Sequence, residues 1–321
     1  DMKLFKDFNL GLSWYLANTF NQTFDPQISV SSGYTTIYLQ TGYVRNTGLE
    51  LSLGYGHTWN NNFRWDSNFT LSHNKNKIKE LVRDYVHPET GELINKDRLD
   101  VGGLGKARFI LKEGGTLGDL YTQSDLKRDD NGMVDIDPTG IVAIENNLPD
   151  IKLGSVFPKA NLAWSNHFSW KGISLSPLFT ARIGGIVYSA TEAAMDQYGV
   201  SERSALARDN GGVLVNNRTL VDAQNYYTTI GSESGLPQYY TYNATNVRLQ
   251  EASIGYLIPR KWLGNVCDIQ VSVIGRNLWM IYNKAPFDPE SVATTDNYYQ
   301  GIDYFMLPST RNIGFNVKIN F

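Results

Sequence analysis

Asn312-Ile313-Gly314-Phe315-Asn316-Val317-Lys318-Ile319-Asn320-Phe321 ends the sequence with polar and apolar residues in unbroken alternation. A period of two puts Ile313, Phe315, Val317, Ile319 and Phe321 on one face of an extended strand and the Asn, Gly and Lys residues on the other. Working outward, the pattern recurs. Phe8, Leu10, Leu12, Trp14 and Leu16 interleave with Asn9, Gly11, Ser13, Tyr15 and Ala17, and Leu49, Leu51, Leu53 and Tyr55 stand against Glu50, Ser52, Gly54 and Gly56. Segments around Trp65, Trp164, Phe179, Ile254 and Val271 repeat it. Together with a weaker hairpin at 106–111 and 117–124, about ten strands result, most of about 10 or more residues where a soluble strand averages about 5–6. About 9–11 residues cross a bilayer at a tilt.

Composition points the same way. Hydrophobic residues make up 41% of the 321 and charged residues 19%, against about 45–50% and about 25% in ordinary soluble domains. Aromatics reach 12%, with 19 Tyr and 7 Trp. A net charge of -3 with no Lys/Arg-rich block excludes a nucleic-acid binder. The single cysteine, Cys267, excludes an internal disulfide and a thiolate metal cage. No run of about 18 apolar residues exists for a membrane helix, a test that β-barrels escape.

The alternate face carries Gly, Ser, Asn and Thr with a few charges, Arg64, Asp66, Arg182 and Arg276 among them; these four are expected to face a wet lumen. Short connections at 59–63, 112–116, 170–173 and 259–266 alternate with long ones at 20–42, 80–104, 125–151, 190–243 and 283–308. Several exceed the roughly 12–15 residues usual in compact soluble domains, whereas outer-membrane barrels pair short periplasmic turns with long extracellular loops. With an even strand count both ends of the chain fall on the periplasmic side. Trp59, Trp65, Trp170, Trp262 and Trp279 lie near strand ends, as an interfacial girdle does. The fold class is therefore all-β, the wall of a transmembrane β-barrel, with a soluble β-rich binding module as the alternative.

Catalytic motifs are lacking: His57, His73, His87 and His167 are scattered, and neither a nucleophile elbow nor a His-Glu-x-x-His helix occurs. The stretch 128–137 gathers Asp129, Asn131, Asp135 and Asp137 around Gly132 as a calcium loop would, without the glutamate at the twelfth position. A structural Ca2+ there competes with a plain acidic turn, and no other cofactor is expected. For ligand binding, Tyr239, Tyr240, Tyr298, Tyr299, Asp303 and Tyr304 are the candidates, since Tyr offers a flat apolar face and a polar tip for sugars or peptides. The competing reading has these tyrosines packing loops together.

Several stretches resemble SusC/RagA-type TonB-dependent outer-membrane transporters of Bacteroidota. Arg45-Asn46-Thr47-Gly48-Leu49-Glu50-Leu51, the run from Val247 through Gly255-Tyr256 to Pro259, Gly275-Arg276-Asn277-Leu278-Trp279, Phe287-Asp288-Pro289-Glu290 and Gly301-Ile302-Asp303 are similar to that family's strand openings and loops, in its order. Terminal Phe321 resembles the signal read during barrel assembly. The resemblance implies that residues 1–321 are the C-terminal half of a 22-stranded barrel, with plug and N-terminal strands outside them. It also implies import of oligosaccharides, or of oligopeptides, with a SusD-like surface lipoprotein; coupling to TonB-ExbB-ExbD through the missing part; and a dimer of transporter-lipoprotein units. The lack of catalytic motifs predicts no enzymatic activity.

Overall fold

Nine antiparallel strands form one sheet in a computed structural model that describes residues 2–24, 38–86, 91, 93–294 and 299–321. They are β1 (Met2–Leu4), β2 (Phe8–Phe24), β3 (Leu39–Thr58), β4 (Arg64–Glu80), β5 (Ala160–Trp170), β6 (Ile173–Ile183), β7 (Asn246–Ile258), β8 (Asp268–Asn283) and β9 (Asn312–Asn320). Each pairs with its neighbour in sequence, an up-and-down meander. Lengths of 17, 20 and 17 residues for β2 to β4 exceed what a tilted bilayer crossing needs.

The two faces are chemically distinct. One shows water-exposed apolar side chains throughout: Leu12 is 61% exposed, Trp14 67%, Ile254 57% and Phe315 81%. In a folded soluble domain such a continuous apolar face would be covered. Aromatics gather at one rim of it, where Tyr55 meets Trp65 edge-on at 5.1 Å and Trp65 stacks on Phe168 at 5.9 Å.

At that rim the turns are short. Trp59 donates its N–H to the Phe63 carbonyl, and Lys171-Gly172, both at positive φ, join β5 to β6 as a two-residue hairpin requires. Arg260–Leu263, a 3-10 turn ended by left-handed Gly264, joins β7 to β8. Phe8 lies opposite Tyr55 and Asn320 opposite Asp268, so β2 begins and β9 ends at this same rim.

The hairpin expected in the wall at 106–111 and 117–124 lies elsewhere. Ala107–Lys112 and Asp119–Thr122 belong to a separate four-stranded sheet with Arg98–Leu104 and Ile151–Ser155. Turn 112–116 is correspondingly on the long-loop side: Gly114 N–H donates to Ile78 O and Ile78 N–H to Gly115 O, near the far end of β4. The wall therefore holds eight long strands and the short β1, where the sequence suggested about ten. Both faces of the misplaced hairpin are covered, with Phe109, Ile110, Leu111 and Leu120 at 0% exposure, so its apolar residues mark an interior.

That interior is the main hydrophobic core. Phe24, Ile78, Leu81, Phe109, Leu120, Tyr188, Ile230 and Leu236 pack together above the wall, within and beneath the long connections. Helices α1 (Ala190–Gln197), α2 (Glu202–Asp209) and α3 (Ala223–Gly231) lie in this cap, each started by a side-chain acceptor: Ser189, Ser201 and Asp222. Cross-links tie its loops together: Lys106 to Glu233 at 3.0 Å, Asn216 to Val134, and Tyr188–Ser189 in parallel pairing with Ile302–Asp303.

Candidate functional site

Register lines the polar residues of successive strands into rows. Ser13, Glu50, Ser72, Asn161, Arg182 and Asn246 are direct neighbours across β2 to β7. One row nearer the short turns come Gly11, Ser52, Thr70, Ala163 and Thr180. Apart from Asn246, these two rows line a cavity of about 670 Å3 on the polar face, which Gln250 and Glu290 also border. Gln250 is at the irregularity where Leu178 pairs with Glu251 and Phe179 with Leu249, so a β-bulge re-aims it. Hydroxyls and amides line it together with three charged groups, Glu50, Arg182 and Glu290, and with Leu and Ala residues of the same strands.

Arg64, Asp66, Arg182 and Arg276 all stand on this face. Arg64 holds Asp66 at 2.6 Å and Arg276 holds Glu251 at 2.7 Å. Arg248, 5% exposed, makes two hydrogen bonds to Asp288 and two to Asn246. Burial pushes the Asp288 carboxyl up, but the Arg248 hydrogen bonds, the Glu290 N–H and the Arg248 charge together leave the group below its usual range. Glu290 accepts from Asn246 at 3.1 Å and lies 3.5 Å from Arg248. The segment after β8 is thereby anchored at the cavity's loop end.

The expected aromatic platform divides. Tyr240 is fully buried and donates its hydroxyl to Asp196 at 2.9 Å, while Arg203 lies over its ring. Burial raises its pKa, and the Asp196 charge adds to that. Asp303 is 6% exposed and accepts from Ser189 at 2.5 Å. As candidate ligand contacts Tyr240 and Asp303 are corrected: both are internal braces of the cap, because a ring with a polar tip suits an interior with one matching acceptor as well as it suits a ligand. Tyr239 sits half-buried against the same core. Tyr226 and Tyr227 pack edge-on at 5.4 Å, and burial pushes Tyr226 up to about 12. Tyr299 and Tyr304 keep open faces, at 42% and 50% exposure, and Tyr304 packs edge-on against exposed Phe305. Tyr298 lies outside the described residues.

At 128–137 the carboxylates serve turns. Asp129 accepts from the N–H groups of Asn131 and Met133, Asp137 accepts from Thr139 and Ile141, and Asp135 pairs with Lys127. Thr139, then the Ile141 N–H, hold the Asp137 carboxyl below its usual range. Among the described residues no three His, Cys, Asp or Glu side chains converge as a metal site. A calcium-like spacing arises because two successive Asp-x-x-Gly turns, with Gly132 and Gly140 at positive φ, each need an aspartate cap. Phe321 follows β9 with its side chain 87% exposed.

Ser13, Thr70, Asn161 and Thr180 are ordinary polar members of alternating strands, and nothing in the sequence singles them out. Alternation gives a residue's face, whereas only register brings residues from six strands into one cavity.

No protein-family profile matches the chain. It is 24% identical to TonB-dependent receptor P3 of Formosa agariphila over 99% of its own length and 33% of that protein. It is equally identical to TonB-dependent receptor P26 of the same organism over 97% of the chain and 32% of the relative. Among solved structures, the RagAB peptide transporter superposes with a TM-score of 0.68 at 18% identity, and the RagAB peptide importer in its closed-closed state with 0.67 at 18%. Each match covers 98% of this chain and 34% of the other. The chain spans about a third of these relatives and has the fold of the β-barrel part of RagA-like transporters. Its resemblance to TonB-dependent receptors of Bacteroidota extends over nearly every residue, and such receptors are outer-membrane proteins. The relatives are named as receptors and importers rather than enzymes.

Proposed function

We propose, for a chain that resembles TonB-dependent receptors along almost its whole length, that it forms the C-terminal barrel part of an outer-membrane importer of oligosaccharides. The observation that carries this is the two-sided sheet: an apolar face, and a polar face with a cavity bordered by hydroxyls, amides and charged groups beneath a packed loop cap. Walls that mix hydroxyls and amides with Glu50, Glu290 and Arg182 suit a cargo of many hydroxyls, which can donate to and accept from such groups. Import of oligopeptides is the second reading, favoured by the likeness to the RagAB peptide importer.

Both edges of the sheet support a larger barrel. β1 covers β2 only from Phe8 to Leu10, and the outer edge of β9 is unpaired among the described residues. Backbone edges in lipid need partners, and the N-terminal half with its plug domain supplies them. Through that half the barrel couples to TonB-ExbB-ExbD. The long loops face outward, where a SusD-like lipoprotein covers the cap, and the short-turn rim faces the periplasm.

Growth on the cargo as sole carbon source tests the reading. Deleting the transporter, and separately disabling TonB, should each abolish uptake, and native mass spectrometry of the purified complex should show bound oligosaccharide. Uptake that survives loss of TonB would refute it.

A further inference from the structure

Arg182 differs from the other arginines near the cavity. Arg64, Arg248 and Arg276 each hold a carboxylate, whereas among the described residues none lies within ion-pair distance of Arg182. Its Nη2 donates to Val156 O at 2.8 Å, and its Nε is buried without a hydrogen-bond partner. A guanidinium has five donors and no acceptor, and a partly desolvated charge left unanswered is costly. The side chain borders the cavity, at the second-last position of β6, where the wall meets the cap. Cargo passing from the cap to the polar face crosses it.

Neighbouring carboxylates answer the charge only in part, since Glu290 acts on Arg182 without an ion pair. Glu290 is engaged by Asn246 and Arg248. Glu50 lies in the same row but three strands away, roughly 14 Å at the usual strand spacing, beyond a Debye length of about 8–10 Å in physiological salt. Asn161 and Asn246, the direct neighbours of Arg182 on β5 and β7, are neutral. An anionic group in the cavity would meet a guanidinium that has no ion pair among the described residues and is flanked by amides, and planar carboxylate recognition is what arginine does best.

We propose that Arg182 forms a carboxylate-binding subsite on the import path, so that the cargo carries a carboxylate, either on a sugar acid or at a peptide C-terminus. This rests on the import reading and narrows its substrate class. The test uses the intact transporter complex in detergent and two matched probe pairs followed by titration calorimetry: trigalacturonate against its methyl ester, and tetra-alanine against its C-terminal amide. In one pair the free carboxylate should bind about tenfold more tightly, the scale of one charge-assisted hydrogen bond. R182Q should bring that ratio to near one, R182K should keep most of it, and E290Q, by removing a nearby negative charge, should raise it.

The responding pair identifies the source of the carboxylate. A wild-type ratio near one in both pairs overturns the subsite. A ratio unchanged in R182Q does the same, and is the result expected if another part of the transporter supplies the counter-charge. Should R182Q fail to fold, E290Q decides: a ratio that does not rise refutes the proposal. A flat ratio alongside TonB-dependent uptake removes the subsite alone, whereas TonB-independent uptake removes the import reading.

Discussion

Placing an arginine on the apolar face at two depths tests whether that face meets lipid. Leu51 lies on β3 between Leu12 and Leu71, four residues beyond Tyr55 of the aromatic rim. Four residues span about 14 Å along a strand, hence about 10 Å of height at a tilt of 35–45°. In an apolar band about 25 Å tall this is close to the middle, where an arginine costs about 2–4 kcal/mol. Val271 faces the lipid side too, but it pairs with Tyr256, whose ring lies 6.3 Å from that of Trp262 in the short turn. At that interfacial level the cost falls to about 0–1 kcal/mol. Ser52 adjoins Leu51 but stands in the polar row between Gly11 and Thr70, so Ser52→Arg should stay within about 0.5 kcal/mol. The assay is the urea dependence of the folded, heat-modifiable barrel of the whole transporter in vesicles, with Leu51→Ala as the size control. Equal costs for Leu51→Arg and Val271→Arg, or a larger cost for Ser52→Arg than for Leu51→Arg, would show that the apolar face does not meet a bilayer in this orientation.

Other expectations concern the cap. Asp196 is 1% exposed and accepts from Ser201, Arg203 and Tyr240. Asp196→Ala should cost about 2–4 kcal/mol, below the about 3–5 of a fully buried pair because the Arg203 side chain is 36% exposed, and should speed hydrogen exchange in α1 and α3; unchanged exchange would deny the brace. Arg98 hydrogen bonds, helped by Lys112 and opposed by burial, hold the Asp150 carboxyl far below its usual range. A depressed folded-state pKa gives stability that is full above the unfolded value of about 3.9 and is lost as pH falls from there toward the folded one. Exchange in Arg98–Leu104 should therefore accelerate only in that acid window, and Asp150→Asn should remove the dependence. With Asp129 and Asp137 occupied as turn caps, added Ca2+ should not raise Tm in a concentration-dependent way; a saturating rise would restore the calcium loop.

Eight long wall strands, their faces and three of the four short turns were legible because alternation is a local signal: a strand with lipid on one side and water on the other writes its environment every second residue. The family resemblance came from motifs on those strands and loops. Residues 106–124 show where the signal fails. Ala107–Lys112 reads as apolar and extended, yet both its faces are covered, and sequence alone does not separate a strand against lipid from one inside a packed cap. Tyr240 and Tyr304 are the same residue type in loops, but one is fully buried and the other half-exposed, a difference fixed by Asp196 and Arg203 from distant segments. Sequence by itself thus determined the two-sided wall. Tertiary structure decided which polar residues share a cavity, which tyrosines are open and which arginine at the cavity has no ion pair among the described residues, because register and ion pairing bring together residues from strands and loops far apart in the chain.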